Sequence, residues 1–156
     1  MTTASPPGRA GVNVRPAARA DLLEVYRIET DSFAQPWPFS AFEQYLGNPG
    51  FFVAAGESVL GYVVADTVSN QGIPLGHVKD IAVRQEARGE GVGTALLRRA
   101  INLLETEQVH AIKLEVRASN DRAIELYRAH GFEYRRTIEG YYNDGEDGLL
   151  FVRPCG

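Results

Sequence analysis

The stretch from Arg88 to Gly93, Arg-Gly-Glu-Gly-Val-Gly, joins a cation to three regularly spaced glycines. A β-branched apolar run precedes it, and an apolar pattern at helical spacing follows it. Glycine lacks a Cβ, so the main chain there can take positive φ and lie close to a ligand. The first N–H groups of a helix have no partner within it, and the helix dipole makes that end positive. The pattern therefore predicts an anion site between a strand and a helix.

Several known glycine patterns can be compared with this turn. A purely structural strand-to-helix turn stays open on the pattern alone. A dinucleotide-binding G-x-G-x-x-G needs a sixth-position glycine counted from Gly89, where this chain has Thr94. A Walker loop needs Lys and then Ser or Thr, but neither Lys nor Ser occurs between Gly89 and Arg98. What remains is R-x-x-G-x-G, which resembles the pyrophosphate-binding motif of the GNAT family of N-acetyltransferases. That resemblance implies acetyl-coenzyme A (acetyl-CoA) as the ligand.

Composition limits the other partners. The 156 residues include 16 basic and 20 acidic side chains, a formal net charge of −4, so there is no basic field to hold nucleic acid. The single cysteine, Cys155, excludes an intramolecular disulfide and a cysteine-based metal cluster. His77, His110 and His130 lack metal-ligand spacing, and no metal is predicted. No apolar run reaches the roughly 18 residues of a membrane span, and no signal peptide is evident. We expect a cytoplasmic location without membrane attachment.

The order of elements follows from periodicity and turn residues. Residues 1–11 are rich in Ser, Thr, Pro and Gly and are predicted to form a flexible tail, which leaves 12–156 as a single domain. Strands are predicted over 12–15, 51–55, 59–68, 77–83, 111–117, 132–138 and 149–152. Helices are predicted over 19–30, after Pro38, after Gly91 and from 121 to about 130, and a polar loop over 69–76. The order βααβββαβαββ with one right-handed crossover predicts a mixed α/β domain.

Four further blocks carry a closer resemblance. They are LEVRASNDRAIELYRAHGF (Leu114 to Phe132), QPWPFSAF (Gln35 to Phe42), GHVKDIAV (Gly76 to Val83) and GYYNDGEDGLLFVRP (Gly140 to Pro154). With the glycine turn, they resemble the RimI-type Nα-acetyltransferases of the GNAT family, and in part its archaeal members, from about Val14 to the end of the chain. The fold implied is a GNAT-type mixed, mostly antiparallel sheet, with a parallel crossover between strands 4 and 5 and helices on both faces. Gly148 stands where that family usually has alanine, a change that we interpret as conservative.

The resemblance implies a reaction and a set of roles. The chain would transfer acetyl from acetyl-CoA to the N-terminal α-amine of a protein or peptide, with a ribosomal protein among the candidate acceptors. Glu115 would be the general base, and Tyr127 would protonate the departing thiolate. The implied cofactor contacts are Ile81, Ala82, Val83, Arg88, Gly89, Glu90, Gly91, Val92, Gly93, Asn120 and Tyr127.

Each role has a structural alternative that the sequence leaves open. Glu115 fits a solvated carboxylate between Lys113 and Arg117 on one strand face. Tyr127 fits a core aromatic, and Asn120 fits a helix N-cap.

The remaining aromatic and histidine candidates are assigned by residue type. Phe33, Trp37, Tyr141 and Tyr142 are predicted either to line the acceptor entrance or to seal the edge of the core. His77 is predicted to be a residue that starts a strand.

Two other functions remain open. One is a GNAT enzyme that acetylates a small amine or a lysine side chain. The other is an acyl-CoA-binding module without turnover, which would require a degenerate Glu115 or Tyr127. Both residues are present, which favours an enzyme.

Overall fold

The computed structural model describes residues 12–156, and the tail predicted over residues 1–11 lies outside that range. The chain divides into two compact units. The first unit comprises the described residues up to Val64 together with Asp80–Ala100. The second comprises Ala65–Lys79 together with Ile101–Gly156. The organisation of 12–156 as a single domain stays a prediction.

Within the described range the strands form one sheet in the order β1-β2-β3-β4-β5-β7-β6. These strands are β1 (Asn13–Pro16), β2 (Phe51–Ala55), β3 (Val59–Asn70), β4 (Ile73–Val83), β5 (Ala111–Arg117), β6 (Glu133–Ile138) and β7 (Gly148–Pro154). The helices are α1 (Leu22–Ser32), α2 (Phe39–Tyr45), α3 (Val92–Thr106) and α4 (Asp121–Ala129), with short 3₁₀ turns at Arg19–Asp21 and Gln85–Ala87. Strand β4 pairs with β5 in parallel, whereas β1–β2, β2–β3, β5–β7 and β6–β7 are antiparallel. This confirms the predicted mixed, mostly antiparallel sheet and its parallel pair.

The core of the first unit forms where α1 and α2 cover an apolar strand. All five residues of β2 are buried, which explains why its sequence is a continuous apolar run rather than an alternating one. Helix α1 contributes Leu22, Val25 and Ile28 to this core. Their spacing places them on one helical face. The same face also carries Glu29, a buried carboxylate.

In the second unit, β5 separates its side chains by alternation. Ile112, Leu114 and Val116 are buried. Lys113, Glu115 and Arg117 lie on the other face, because successive side chains of a strand point to opposite sides of the sheet. The orientation of β5 is fixed by its antiparallel pairing with β7, in which Glu115 lies opposite Leu150. The alternation thus sets a row of charged groups on one side of the sheet.

The polar loop predicted over 69–76 is wrong. Strand β3 continues to Asn70 and β4 already begins at Ile73. The two strands are joined by Gln71 (φ 52°) and Gly72 (φ 82°). Two left-handed residues match the twist of a tight hairpin. Residues 69–74 are all exposed, which suits the polar Ser69, Asn70 and Gln71 at this end of the hairpin. Smaller differences are a 3₁₀ start before α1, a later start of β6, and a longer β7.

Candidate active site

The glycine turn has the backbone conformation that its sequence predicted. Gly89 (φ 79°) and Gly91 (φ 84°) are both left-handed, a region that residues with a Cβ rarely adopt. Arg88 donates from Nε to the carbonyl of Val83 at 3.1 Å, which ties the turn to the end of β4. Helix α3 begins at Val92, and the N–H of Ala95 donates to Gly91 O. The N–H groups before Ala95 therefore lie at a helix N-terminus, a kind of position that binds anions in proteins.

The predicted contact strand lies directly before this turn. Ala82 is buried, while Ile81 and Val83 at the end of β4 are half-buried. The N–H of Arg84 donates to Leu60 O at 2.7 Å, so β3 fixes the end of β4. These residues and the glycine turn belong to one unit, which brings the predicted pantetheine and diphosphate contacts together. Their contacts with a cofactor stay a prediction.

Glu115 lies at the centre of a charged group in the second unit. His77 Nε2 is 2.8 Å from Glu115 Oε1, and Lys113 Nζ is 3.4 Å from Glu115 Oε2. The Glu115 side chain is only 12% exposed. Burial alone would raise the pKa of Glu115, but hydrogen bonding and charge from His77, together with Lys113, outweigh burial and lower it. Glu115 is therefore an ionised carboxylate held in a fixed position at neutral pH.

This geometry corrects the prediction for His77. The residue lies in the interior of β4, opposite Lys113 in the parallel register, and does not start the strand. Since Lys113 and Glu115 share a face of β5, the register also places Glu115 within reach of His77. The alternative of a solvated carboxylate fails because the Glu115 side chain is only 12% exposed and is hydrogen-bonded to His77 and Lys113.

The loop between β6 and β7 places two tyrosines in the field of Glu115. Burial, and then the charge of Glu115, raises the pKa of Tyr141. Burial raises the pKa of Tyr142 to about 12, with Tyr141 and Glu115 contributing. Both hydroxyls are therefore protonated at neutral pH. The rings form an edge-to-face pair with centroids 5.0 Å apart.

Arg117 holds this loop from β5. Its NH1 donates to Asp144 Oδ2 at 2.9 Å and to Glu146 Oε1 at 2.8 Å, and its Cζ lies 4.1 Å from the centroid of the Tyr142 ring. Glu146 Oε2 also accepts from the N–H of Ser119 at 2.9 Å. These bonds to Ser119 and Arg117 lower the pKa of Glu146 to about 2.

Tyr127 and Asn120 both lie on α4, and their structural alternatives are supported. The Tyr127 ring is buried and packs edge-to-face against Phe132 at 6.0 Å. Asn120 is the N-cap of α4, and its Oδ1 accepts from the N–H of Ala123 at 3.2 Å. The N-cap interpretation is confirmed, while the cofactor roles of Asn120 and Tyr127 stay predictions.

Phe33 and Trp37 pack against the core of the first unit. Trp37 stacks on Tyr45 at 5.8 Å and lies 5.5 Å from the Phe42 ring. Both Phe33 and Trp37 are half-buried, so they seal the edge of the core while keeping part of each ring exposed. An acceptor role for these rings stays a prediction.

Sequence reasoning missed a buried polar group in the first unit. Glu29 accepts from the Tyr62 hydroxyl on Oε1 and from the Trp37 N–H on Oε2 at 2.8 Å. The Tyr62 hydroxyl also lies 3.5 Å from Asp80 Oδ2. One signal was available in the sequence, a carboxylate at helical spacing with Leu22 and Val25.

Two absences concern the described residues alone. In residues 12–156, no group of three or more His, Cys, Asp or Glu side chains is arranged to hold a metal ion. None of the helices in the same range is long and apolar enough to cross a membrane.

The chain thus combines a mixed sheet with a glycine turn before a helix in the first unit and a glutamate hydrogen-bonded to a histidine in the second. A model of the acetyltransferase (GNAT) family matches residues 22–132, and the chain belongs to this family.

Its relatives agree with this assignment. An N-alpha-acetyltransferase of Saccharolobus solfataricus is 35% identical over 153 residues, covering 90% of this chain and 92% of that protein. The [ribosomal protein bS18]-alanine N-acetyltransferase of Escherichia coli is 32% identical over 142 residues, covering 86% and 91%. The crystal structure of Ard1 from Thermoplasma volcanium matches with a TM-score of 0.86 at 26% identity, covering 94% and 99%. The predicted family, fold and acetyltransferase class are confirmed.

Proposed function

We propose that the protein transfers the acetyl group of acetyl-CoA to the N-terminal α-amine of a protein, and that it acts in the cytoplasm. The observation that carries the proposal is Glu115, a half-buried ionised carboxylate held by His77 at 2.8 Å. The similarity to an N-alpha-acetyltransferase over 90% of the chain supports the choice of acceptor. Because the E. coli relative acts on a ribosomal protein, we include a ribosomal protein among the acceptors.

The chain's main-chain groups would bind the donor. Acetyl-CoA, when bound, supplies an acetyl group activated as a thioester. Its diphosphate fits the left-handed turn at Gly89 and Gly91 and the N-terminus of α3. The main chain of Ile81–Val83 would contact the pantetheine arm, with Arg88 holding the turn to Val83.

The proton of the α-amine would leave through Glu115. A free α-amine has a pKa near 8, so about one amine in ten is neutral at pH 7. A carboxylate with a lowered pKa is too weak to deprotonate a free ammonium group. Glu115 therefore acts as the N–C bond forms, when the nitrogen becomes far more acidic. His77 fixes the carboxylate in position for that transfer.

The departing sulfur also needs a proton. We assign this donation to the Tyr127 hydroxyl, and the C–S bond breaks as the sulfur receives the proton. The acceptor peptide would lie against Tyr141 and Tyr142, which stay protonated and can donate hydrogen bonds. In the first unit, Phe33 and Trp37 would also contact the acceptor.

The decisive experiment compares two peptides with acetyl-CoA and mass spectrometry. One peptide has a free α-amine and no lysine, and the other has a blocked α-amine and one lysine. We expect acetylation of the first peptide only. Preferential acetylation of the lysine would replace the proposal with a lysine acetyltransferase. Activity on free small amines alone would make the protein a small-molecule enzyme.

A further inference from the structure

The first unit contains a buried carboxylate that the proposed reaction does not use. Glu29 lies on the apolar face of α1 and is 2% exposed. Burying an ionised carboxylate is costly unless hydrogen bonds replace the lost water. Here both oxygens are occupied, Oε1 by the Tyr62 hydroxyl and Oε2 by the Trp37 N–H at 2.8 Å.

Two further titratable side chains, Asp80 and Tyr62, lie next to Glu29. Burial, and then hydrogen bonding to Glu29 and its charge, raises the pKa of Asp80 well above its ordinary value. Burial, with the charges of Asp80 and Glu29, likewise raises the pKa of Tyr62. Glu29 accepts from the Tyr62 hydroxyl and from the main-chain N–H of Trp37, and its side chain hydrogen-bonds with that of Asp80.

The bond to Trp37 matters because of the residues around it. Pro36 and Pro38 flank Trp37 and have no N–H to donate. Trp37 therefore supplies the one main-chain donor of this tripeptide, and Glu29 accepts it. The tripeptide lies between α1 and α2 outside regular secondary structure. Its place depends on this bond and on the stacking of the Trp37 ring.

The same carboxylate also reaches the strand assigned to the donor. Asp80 hydrogen-bonds to Glu29 and directly precedes Ile81 on β4. Glu29 thus joins the segment assigned to the acceptor and the strand assigned to the donor, within one unit. A simple packing role would be filled by an apolar residue at lower cost.

We propose that Glu29 is a positioning residue that holds the Pro36–Pro38 segment against β4 at Asp80 and so sets the affinity for the acceptor. The inference rests on the proposed function, because it assigns that segment to acceptor binding. Glu29 contacts neither the reacting atoms nor the acceptor, and it acts through the position of Trp37.

Trp37 is the only tryptophan of the chain, so its fluorescence reports on this segment alone. We compare Glu29→Gln with the wild type by acrylamide quenching and by steady-state kinetics. An amide has one oxygen in place of two, so it cannot accept from both Tyr62 and Trp37. Because one of the two hydrogen bonds to Glu29 is lost, we expect quenching to rise about twofold and the peptide KM about tenfold, with kcat within about threefold.

Two further variants complete the experiment. Glu43→Gln is the matched control on α2, since Glu43 is exposed and its 3.5 Å pair with Arg19 is exposed too; it should match the wild type. Tyr62→Phe removes one donor and should shift quenching and KM in the same direction as Glu29→Gln, by less. Tyr62→Phe decides the question if Glu29→Gln does not fold.

The outcomes separate the inference from the proposed function. Unchanged quenching in folded Glu29→Gln, or changed quenching with an unchanged peptide KM, would overturn the inference. If the wild type acetylates another amine, the proposed function fails, and the KM for that amine serves in the same comparison.

Discussion

Replacing Glu115 with Gln tests the proposed base at almost constant shape. The amide keeps the size of the side chain and leaves an oxygen near His77 Nε2, which is 2.8 Å from the carboxylate in the wild type. The variant loses only the charge and the ability to take a proton. General base catalysis contributes roughly 10²- to 10⁴-fold, which is about 2.7–5.5 kcal/mol of activation free energy. We expect kcat/KM at pH 7 to fall by that factor.

The pH dependence gives a sharper test, because the structure fixes its sign. The folded-state pKa of Glu115 lies below its ordinary value, so the carboxylate stays ionised from pH 5 to pH 9. The rise of wild-type kcat/KM through pH 8 must then come from the α-amine, whose neutral fraction grows from about one tenth at pH 7 to about nine tenths at pH 9. Glu115→Gln depends on the same neutral amine. The two logarithmic profiles should therefore rise in parallel.

The assay is kcat/KM for a lysine-free peptide from pH 6 to pH 9, with Glu133→Gln as the control. Glu133 is an exposed glutamate on β6, and its substitution should leave the profile unchanged. Profiles that converge at pH 9 would show that Glu115 deprotonates the incoming ammonium group, contrary to its lowered pKa. A loss below threefold at every pH would remove Glu115 from the reaction.

Three other substitutions address the donor turn, the acid and the acceptor loop. Gly91→Val places a Cβ at φ 84°, so calorimetry should show acetyl-CoA binding weakened at least tenfold, and equal affinity would remove the phosphate-turn interpretation. Tyr127→Phe should lower kcat by about 10- to 10³-fold with an unchanged melting temperature. If Tyr127 has a packing role alone, Tyr127→Phe should keep normal kcat, and Tyr127→Ala should lose about 3–5 kcal/mol of unfolding free energy. The pKa of Glu146 is held at about 2, so its contribution to stability is complete above its unfolded pKa and is lost only as pH falls toward 2. In Arg117→Gln, carboxyl NMR titration should show the pKa of Glu146 moving up toward about 4.3, and an unchanged value would assign the shift to Ser119 alone.

The elements that sequence predicted best are those whose signals are local. Strands β2 and β5 match their predicted bounds because apolar runs and alternation end at turn residues. The glycine turn was also predicted, since positive φ is a property of single residues. The hairpin at Gln71 and Gly72 was missed because exposed strand ends bury nothing and therefore read as a loop.

The missed site residues depend on register between distant segments. His77 reaches Glu115 only through the parallel pairing of β4 with β5, which no single segment encodes. Glu29 needs partners from the 36–38 segment and from two strands. Gly148 shows the same limit: a Cβ there would lie 2.9 Å from Tyr141 Cδ2, so the expected alanine would not be a neutral replacement in this chain. The need for glycine at position 148 comes from the Tyr141 side chain and not from the strand itself.

The two segments assigned to the acceptor are held by the same chemistry in different surroundings. Glu29 accepts the Trp37 N–H inside the core, where salt screens charges little. Glu146 accepts the Ser119 N–H and pairs with Arg117 near the surface, where ions screen the pair and its net contribution is small. The 140–147 loop can therefore adapt at little cost, whereas the Trp37 segment cannot move without removing one of the hydrogen bonds to a buried carboxylate. We therefore expect the Trp37 segment to be the more rigid of the two.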